Sequence, residues 1–172
     1  KEILRRGKKK GVHLGISAFI PKSHTPFQWV KQEEIESLNE KMNILHSLLH
    51  PLGRRVRYNW SDFEVNLIEG VLSRGDRRVS SVIERVYRKG GMMDNWREFF
   101  SLKRWQEGFA EEGLNMDFYT HRERGKEEIF PWEHLSSGVS KDFLWREYQL
   151  SQEEKITFPC REGENCYNCG VC

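Results

Sequence analysis

The chain has four cysteines, Cys160, Cys166, Cys169 and Cys172, all within the string CREGENCYNCGVC. Thiolates gathered at x5, x2, x2 spacing serve a common point, because a soft cation accepts several sulfurs at once. The C-x2-C-x2-C run can wrap three corners of an iron-sulfur cube while Cys160 supplies the fourth thiolate. Structural zinc usually takes two separated C-x2-C knuckles, whereas three of these cysteines share one run, so zinc stands as the alternative. Disulfides would close loops too short to gain much entropy. A prenylation box fits poorly with Gly170 and a terminal cysteine. Gly163 and Gly170 give the segment the tight turns that close sulfur approach requires.

Three other groupings carry possible chemistry. Arg74, Arg77 and Arg78 surround a helix start, where guanidinium groups and free backbone N–H groups together suit an anion; a solvated basic face is the competing reading. Arg54, Arg55 and Arg57 interleave with Tyr58 and Trp60, a pattern that meets RNA by charge and stacking, or simply marks a charged edge strand. His46 and His50 have chelating spacing on one helix, but no third ligand accompanies them, so they read as helix-end histidines. The tripeptide Arg74-Gly75-Asp76 is accounted for by a helix stop followed by a helix start.

These residues need elements to hold them. Val12 to Ile20 alternates as a largely buried strand and stops at Pro21. Ile35, Leu38, Met42, Leu45 and Leu49 then mark one side of a helix of roughly twenty residues, closed by Pro51 and Gly53. Val56, Tyr58 and Trp60 form a short half-exposed strand, after which Ser61 and Glu64 spell a capping box. The following helix turns Val65, Ile68, Val71 and Leu72 inward and ends at Gly75. Asp76 caps the next, whose apolar set is Val79, Val82, Ile83, Val86 and Tyr87. Ser101 caps a helix bearing Leu102, Trp105 and Phe109 and ending at Gly113. Phe118 to Trp132 reads as loop with aromatic anchors. Ser140 caps the last helix, stapled by Val139 and Leu144. Regular structure ends after Glu154.

Composition narrows the class. A chain of 172 residues with 37% hydrophobic content can bury a core, and its 31% charged residues nearly cancel to +2. No global field therefore commits it to nucleic acid or membrane. The basic start, Lys1 to Lys10, followed by Val12 to Ile20 mimics a secretory signal, but His13 and Ser17 interrupt the apolar run and no small-residue cleavage site follows. No segment approaches membrane-spanning length. The expected location is cytoplasmic, without membrane contact. A first residue of Lys rather than Met raises the expectation that the chain begins inside a longer polypeptide.

Four motifs resemble one protein family. Phe19-Ile20-Pro21-Lys22-Ser23-His24-Thr25-Pro26-Phe27-Gln28-Trp29 is similar to the F-V-P-K-P-H-T-P-F-Q-W segment of a group of radical SAM proteins associated with a cobalamin-binding domain. Glu69-Gly70-Val71-Leu72-Ser73-Arg74-Gly75-Asp76-Arg77-Arg78 resembles that group's E-G-x-x-S-R-G-D-R-R stretch. Pro131-Trp132-Glu133-His134 through Gly138-Val139-Ser140-Lys141 resembles P-W-x-H-x-x-x-G-V-x-K, and Cys166 to Cys172 resembles C-x-x-C-G-V-C. The motifs occur in the family's order over nearly the whole chain. Ser23 in place of a usual proline and Asn168 within the cysteine run are the departures.

The resemblance implies an α/β fragment: residues 1–60 as the end of a partial radical SAM barrel, 61–155 as a mainly helical extension, and 156–172 as a Cys-rich metal-binding tail. It implies S-adenosylmethionine as cofactor of the full-length protein and places His24, Thr25 and Gln28 at the barrel mouth, facing cofactor or substrate or bracing the loop. The radical-initiating C-x3-C-x2-C motif is absent from this chain. Cys160, Cys166, Cys169 and Cys172 include no x3 step, so they form at most an auxiliary site. The expected partner is the upstream part of the same polypeptide, with its cobalamin-binding domain and radical SAM core. The competing class is a non-catalytic zinc or cluster module that binds RNA through Arg54 to Trp60 and the basic start.

Overall fold

Val12, Leu14 and Ile16 alternate with His13 and Gly15, and the chain there is extended as strand β1, Val12–Ile16. The computed structural model describes residues 2–6, 11–160 and 166–171, beginning with a short helix α1, Glu2–Arg6. β1 pairs in parallel with β2, Val56–Trp60, in the register Val12 to Val56 through Ile16 to Trp60. Between them run helix α2, Ile35–Leu49, and a tighter turn, His50–Arg55, in which Gly53 takes a positive φ of 68°. The fold is thus α/β, with a two-stranded parallel sheet joined through a helix, the connection that parallel strands require.

β1 is shorter than its apolar run. Beyond Ile16 the strand loses a ladder partner, because the Ser61 N–H donates to the Ile16 carbonyl and the Ala18 N–H turns to the Ser61 hydroxyl. That use of Ser61 also displaces the expected capping box. Asp62 caps α3, Phe63–Arg74, by accepting from the N–H groups of Glu64 and Val65, while the Ser61 hydroxyl donates to Asn66.

α4, Val79–Arg88, and α5, Leu102–Glu111, pack on each other, and α3 packs on α6, Met116–Thr120. Their core holds Ile68, Val71, Val79, Val82, Val86, Phe100, Trp105, Phe109 and Tyr119. Fully burying one valine such as Val82 contributes about 1.5–3 kcal/mol. Leu72, Ile83 and Tyr87, expected inside, are exposed, so each helix turns a narrower stripe inward than its apolar composition suggests. α6 lies partly in the stretch read as loop; Asn115 caps it by accepting the Asp117 N–H.

Ser101 and Ser140 cap as expected, accepting from Arg104 N–H and Phe143 N–H. The second cap opens α7, Lys141–Gln152. A second core of Trp29, Phe130, Trp132 and Leu144 joins the segment after β1 to α7. Among the described residues no helix is long and apolar enough to cross a membrane.

Candidate functional site where four segments converge

Residues 19–29 leave the sheet and are pinned to α7 by aromatic rings. Trp29 is almost fully buried, with its ring 4.9 Å from Trp145 and 6.0 Å from Phe130, and Phe27 meets both Phe19 and Tyr148 edge-on. Edge-to-face contacts of this kind suit the ring quadrupole and fix orientation as well as burying area. Between these anchors the chain turns tightly. His24 adopts a positive φ of 55°, and its N–H donates to Gln28 Oε1 at 3.3 Å. A side chain other than glycine held in that region marks a conformation imposed by its surroundings.

Gln28 and the third motif meet directly. The Trp132 indole N–H donates to Gln28 Oε1 at 2.9 Å, and Trp132 stacks on Phe130 with centroids 4.9 Å apart. Lys141, in the first turn of α7, donates to the Glu128 carbonyl at 2.8 Å and to Glu133 Oε1 at 2.7 Å, with its ammonium 5.1 Å from the Phe130 centroid. The Lys141 ammonium and the Phe130 N–H hold the Glu133 carboxyl below its usual range. These groups enclose a cavity of about 250 Å³ whose walls include His24, Gln28, Trp132, Glu133, His134 and Lys141. Its volume suits a small polar molecule. Gln28 Oε1 already accepts twice, so the amide Nε2 is the group this buried side chain has left for a guest. Thr25 stands apart: its hydroxyl donates to the Lys22 carbonyl.

The second motif reaches the same place from α3. Lys22 pairs with Glu69 at 2.6 Å, and Arg74 donates to the Val30 carbonyl at 2.8 Å. Arg74, Arg77 and Arg78 are not brought together. Arg74 is buried, whereas Arg77 and Arg78 are exposed, and Arg78 forms a bidentate pair with Asp76.

The cysteine segment docks beside the cavity. The Ser140 N–H donates to the Cys169 carbonyl at 2.7 Å, and Arg146 donates to the Tyr167 carbonyl at 3.0 Å. Gly170 takes φ 94°, and a Cβ there would meet the Gly138 carbonyl at 3.1 Å. Asn168, at φ 52°, turns its N–H onto Cys166 Sγ at 3.4 Å, a bond that suits a thiolate. Cys160 and Cys166 are exposed, Cys169 is half-buried, and all three are free thiols. Cys172 and Gly163 lie outside the described residues. Among the described residues no three His, Cys, Asp or Glu side chains are gathered to hold a metal ion.

Arg54, Arg55 and Arg57 border a separate cavity with His13, while Tyr58 and Trp60 stack 6.2 Å apart. Strand alternation puts Arg57 on the opposite face from Tyr58 and Trp60, which separates the charge from the stacking surface. His46 Nδ1 lies 2.8 Å from the Tyr58 hydroxyl, a hydrogen bond that occupies it.

Sequence reasoning missed Arg124 and Glu128. The Arg124 N–H donates to the Trp29 carbonyl at 2.9 Å, and its guanidinium lies 5.5 Å from the Trp132 ring and 5.7 Å from Phe130. Glu128 takes a bidentate pair from Arg122 at 2.6 and 2.8 Å. Both fall in a stretch without helical or strand periodicity, which leaves no sequence signal for them. No family model, curated protein or solved structure matches the chain.

Proposed function

We propose that this chain is the downstream part of a radical SAM iron-sulfur enzyme, carrying an auxiliary cluster site next to a small-ligand cavity. The observation that carries the reading is convergence. Four segments that resemble motifs of one family, separated along the chain, meet through Lys22 and Glu69, Arg74 and Val30, Gln28 and Trp132, and Ser140 and Cys169. The first and third segments line one cavity, and the second and fourth attach to them beside it. The parallel β1-α2-β2 unit is the repeat from which α/β barrels are built, in keeping with a late barrel strand that delivers residues 19–29 to the barrel mouth.

In this reading Cys160, Cys166, Cys169 and Cys172 hold the cluster, in the cytoplasm. Free thiols, the Asn168 N–H on Cys166 Sγ and the positive-φ turns at Asn168 and Gly170 fit a cluster-binding loop. A cluster held by all four thiolates would supply one-electron transfer. The protein side chains orient the guest: Gln28 offers its amide, Trp132 a flat ring, and His24 and His134 imidazoles for proton transfer. The upstream polypeptide supplies the S-adenosylmethionine site and radical initiation.

Anaerobic purification with iron, zinc and acid-labile sulfide analysis tests the metal. Iron and sulfide in near-equal amounts support the cluster; stoichiometric zinc without sulfide overturns it. The enzyme reading further expects a C-x3-C-x2-C motif encoded upstream in the same gene. A start codon immediately before Lys1 would instead favour a free-standing module.

A further inference from the structure

Two arginines are buried almost completely near the cavity, Arg74 at 1% and Arg124 at 6% exposure. Arg74 arises from the last turn of α3 and attaches through one nitrogen to the Val30 carbonyl at 2.8 Å. Arg124 attaches through its backbone to the neighbouring Trp29 carbonyl, and through Nη2 to the Tyr119 carbonyl at 3.1 Å. The Arg74 side chain and the Arg124 backbone thus attach to adjacent carbonyls, while the Arg124 guanidinium is held by Tyr119. Two further nitrogens on each, Nε and Nη2 of Arg74 and Nε and Nη1 of Arg124, are buried and donate to no group among the described residues.

The nearest carboxylate does not answer them. Glu128 directs both oxygens at Arg122, and it approaches Arg124 only to 3.8 Å, beyond hydrogen-bond reach. Three guanidinium groups therefore share one carboxylate. Burial together with the charges of Arg124 and Arg122 pushes the Arg74 guanidinium down to about 10, which still leaves it charged at neutral pH. One carboxylate leaves this buried positive charge in excess, and buried charge that is not fully compensated is costly.

We propose that Arg74 and Arg124 together bind one small inorganic anion, a halide or a planar oxyanion of nitrate size. The donors set the chemistry, because guanidinium groups only donate and an anion only accepts. Burial limits the size: the four free nitrogens are sealed from solvent, and neither arginine lines the cavity beside Gln28. This site is independent of the cysteine segment and of the reaction proposed above. It differs from the exposed turn of Arg77 and Arg78, whose charge is partly met by Asp76. An anion here would brace Trp132, over whose ring Arg124 lies.

Thermal unfolding of the full chain at constant ionic strength tests the site, with chloride, bromide or nitrate exchanged for gluconate, which is too large to enter. The midpoint should rise by about 3–5 °C for each tenfold increase in chloride above its Kd, and the rise should vanish in Arg124→Met. Equal midpoints in chloride and gluconate, or an anion effect that survives in Arg124→Met, overturn the proposal. Should that variant fail to fold, crystals of the unaltered protein grown in bromide decide. An anomalous peak within hydrogen-bond distance of both guanidinium groups supports the site, and ordered water alone at that position refutes it.

Discussion

Trp132 donates its indole N–H to Gln28 Oε1 across 104 residues of chain, and both side chains are buried. The same oxygen accepts the His24 N–H, so one amide ties the strained turn at His24 to the Phe130–Trp132 stack. Trp132→Phe preserves a ring but removes the donor. It should lower stability by about 1–2 kcal/mol, read as a lower urea midpoint at unchanged slope. An unchanged midpoint would show that the bond contributes nothing.

Glu128 should govern part of the acid limb of stability. The Arg122 guanidinium, then the charges of Arg124 and Arg74, hold its carboxyl below the ordinary 4.5. A depressed carboxyl contributes fully above that ordinary value and loses its contribution as pH falls through the lower folded value. Glu128→Gln should lower stability at pH 7 by about 2 kcal/mol and flatten the decline below pH 4.5. Thermal melts from pH 7 to pH 3 check this, and parallel declines in the two proteins would contradict it.

Gly70 lies inside α3, where alanine would ordinarily stabilise the helix by about 1 kcal/mol. A Cβ at this position would fall 1.8 Å from Gln32 Oε1, and Gln32 is buried and tied to the Asn66 carbonyl. Gly70→Ala should therefore destabilise by about 1–3 kcal/mol. Adding Gln32→Ser should recover part of that loss. A stabilised single variant would mean that the glutamine moves aside freely.

Gly170→Ala should loosen the cysteine segment from α7. The positive φ and the 3.1 Å approach to the Gly138 carbonyl both oppose a side chain there. Hydrogen exchange at the Ser140 amide, which donates to Cys169, should accelerate about tenfold, while amides in the middle of α7 keep their protection. Unchanged exchange at Ser140 would show that the segment is held by other contacts.

Local signals in the sequence located elements well wherever the deciding interaction spans a few residues. Ser101 and Ser140 were legible as caps because a hydroxyl two or three residues from a free N–H needs no distant partner. Ser61 failed as a cap because Ala18, 43 residues away, takes its hydroxyl, and Asp62 was free to replace it. β1 ends at Ile16 for the same reason, since a ladder stops where its partner strand does. Within the site, His24 and Gln28 lie in a string whose residue types were conspicuous. Arg124 and Glu128 were not, because charged residues in an aperiodic stretch read as solvated loop.

The sequence by itself determined that four thiols crowd one end of the chain, that a strand, a long helix and a second strand follow one another, and which helices alternate with which turns. Those are properties of residue type and short spacing. Tertiary structure alone decided that Gln28 meets Trp132, that Arg74 turns inward to Val30 and away from Arg77 and Arg78, and that Cys169 docks on Ser140. The physical reason is that burial and hydrogen-bond pairing between distant segments depend on which faces pack together, and no local period encodes that choice.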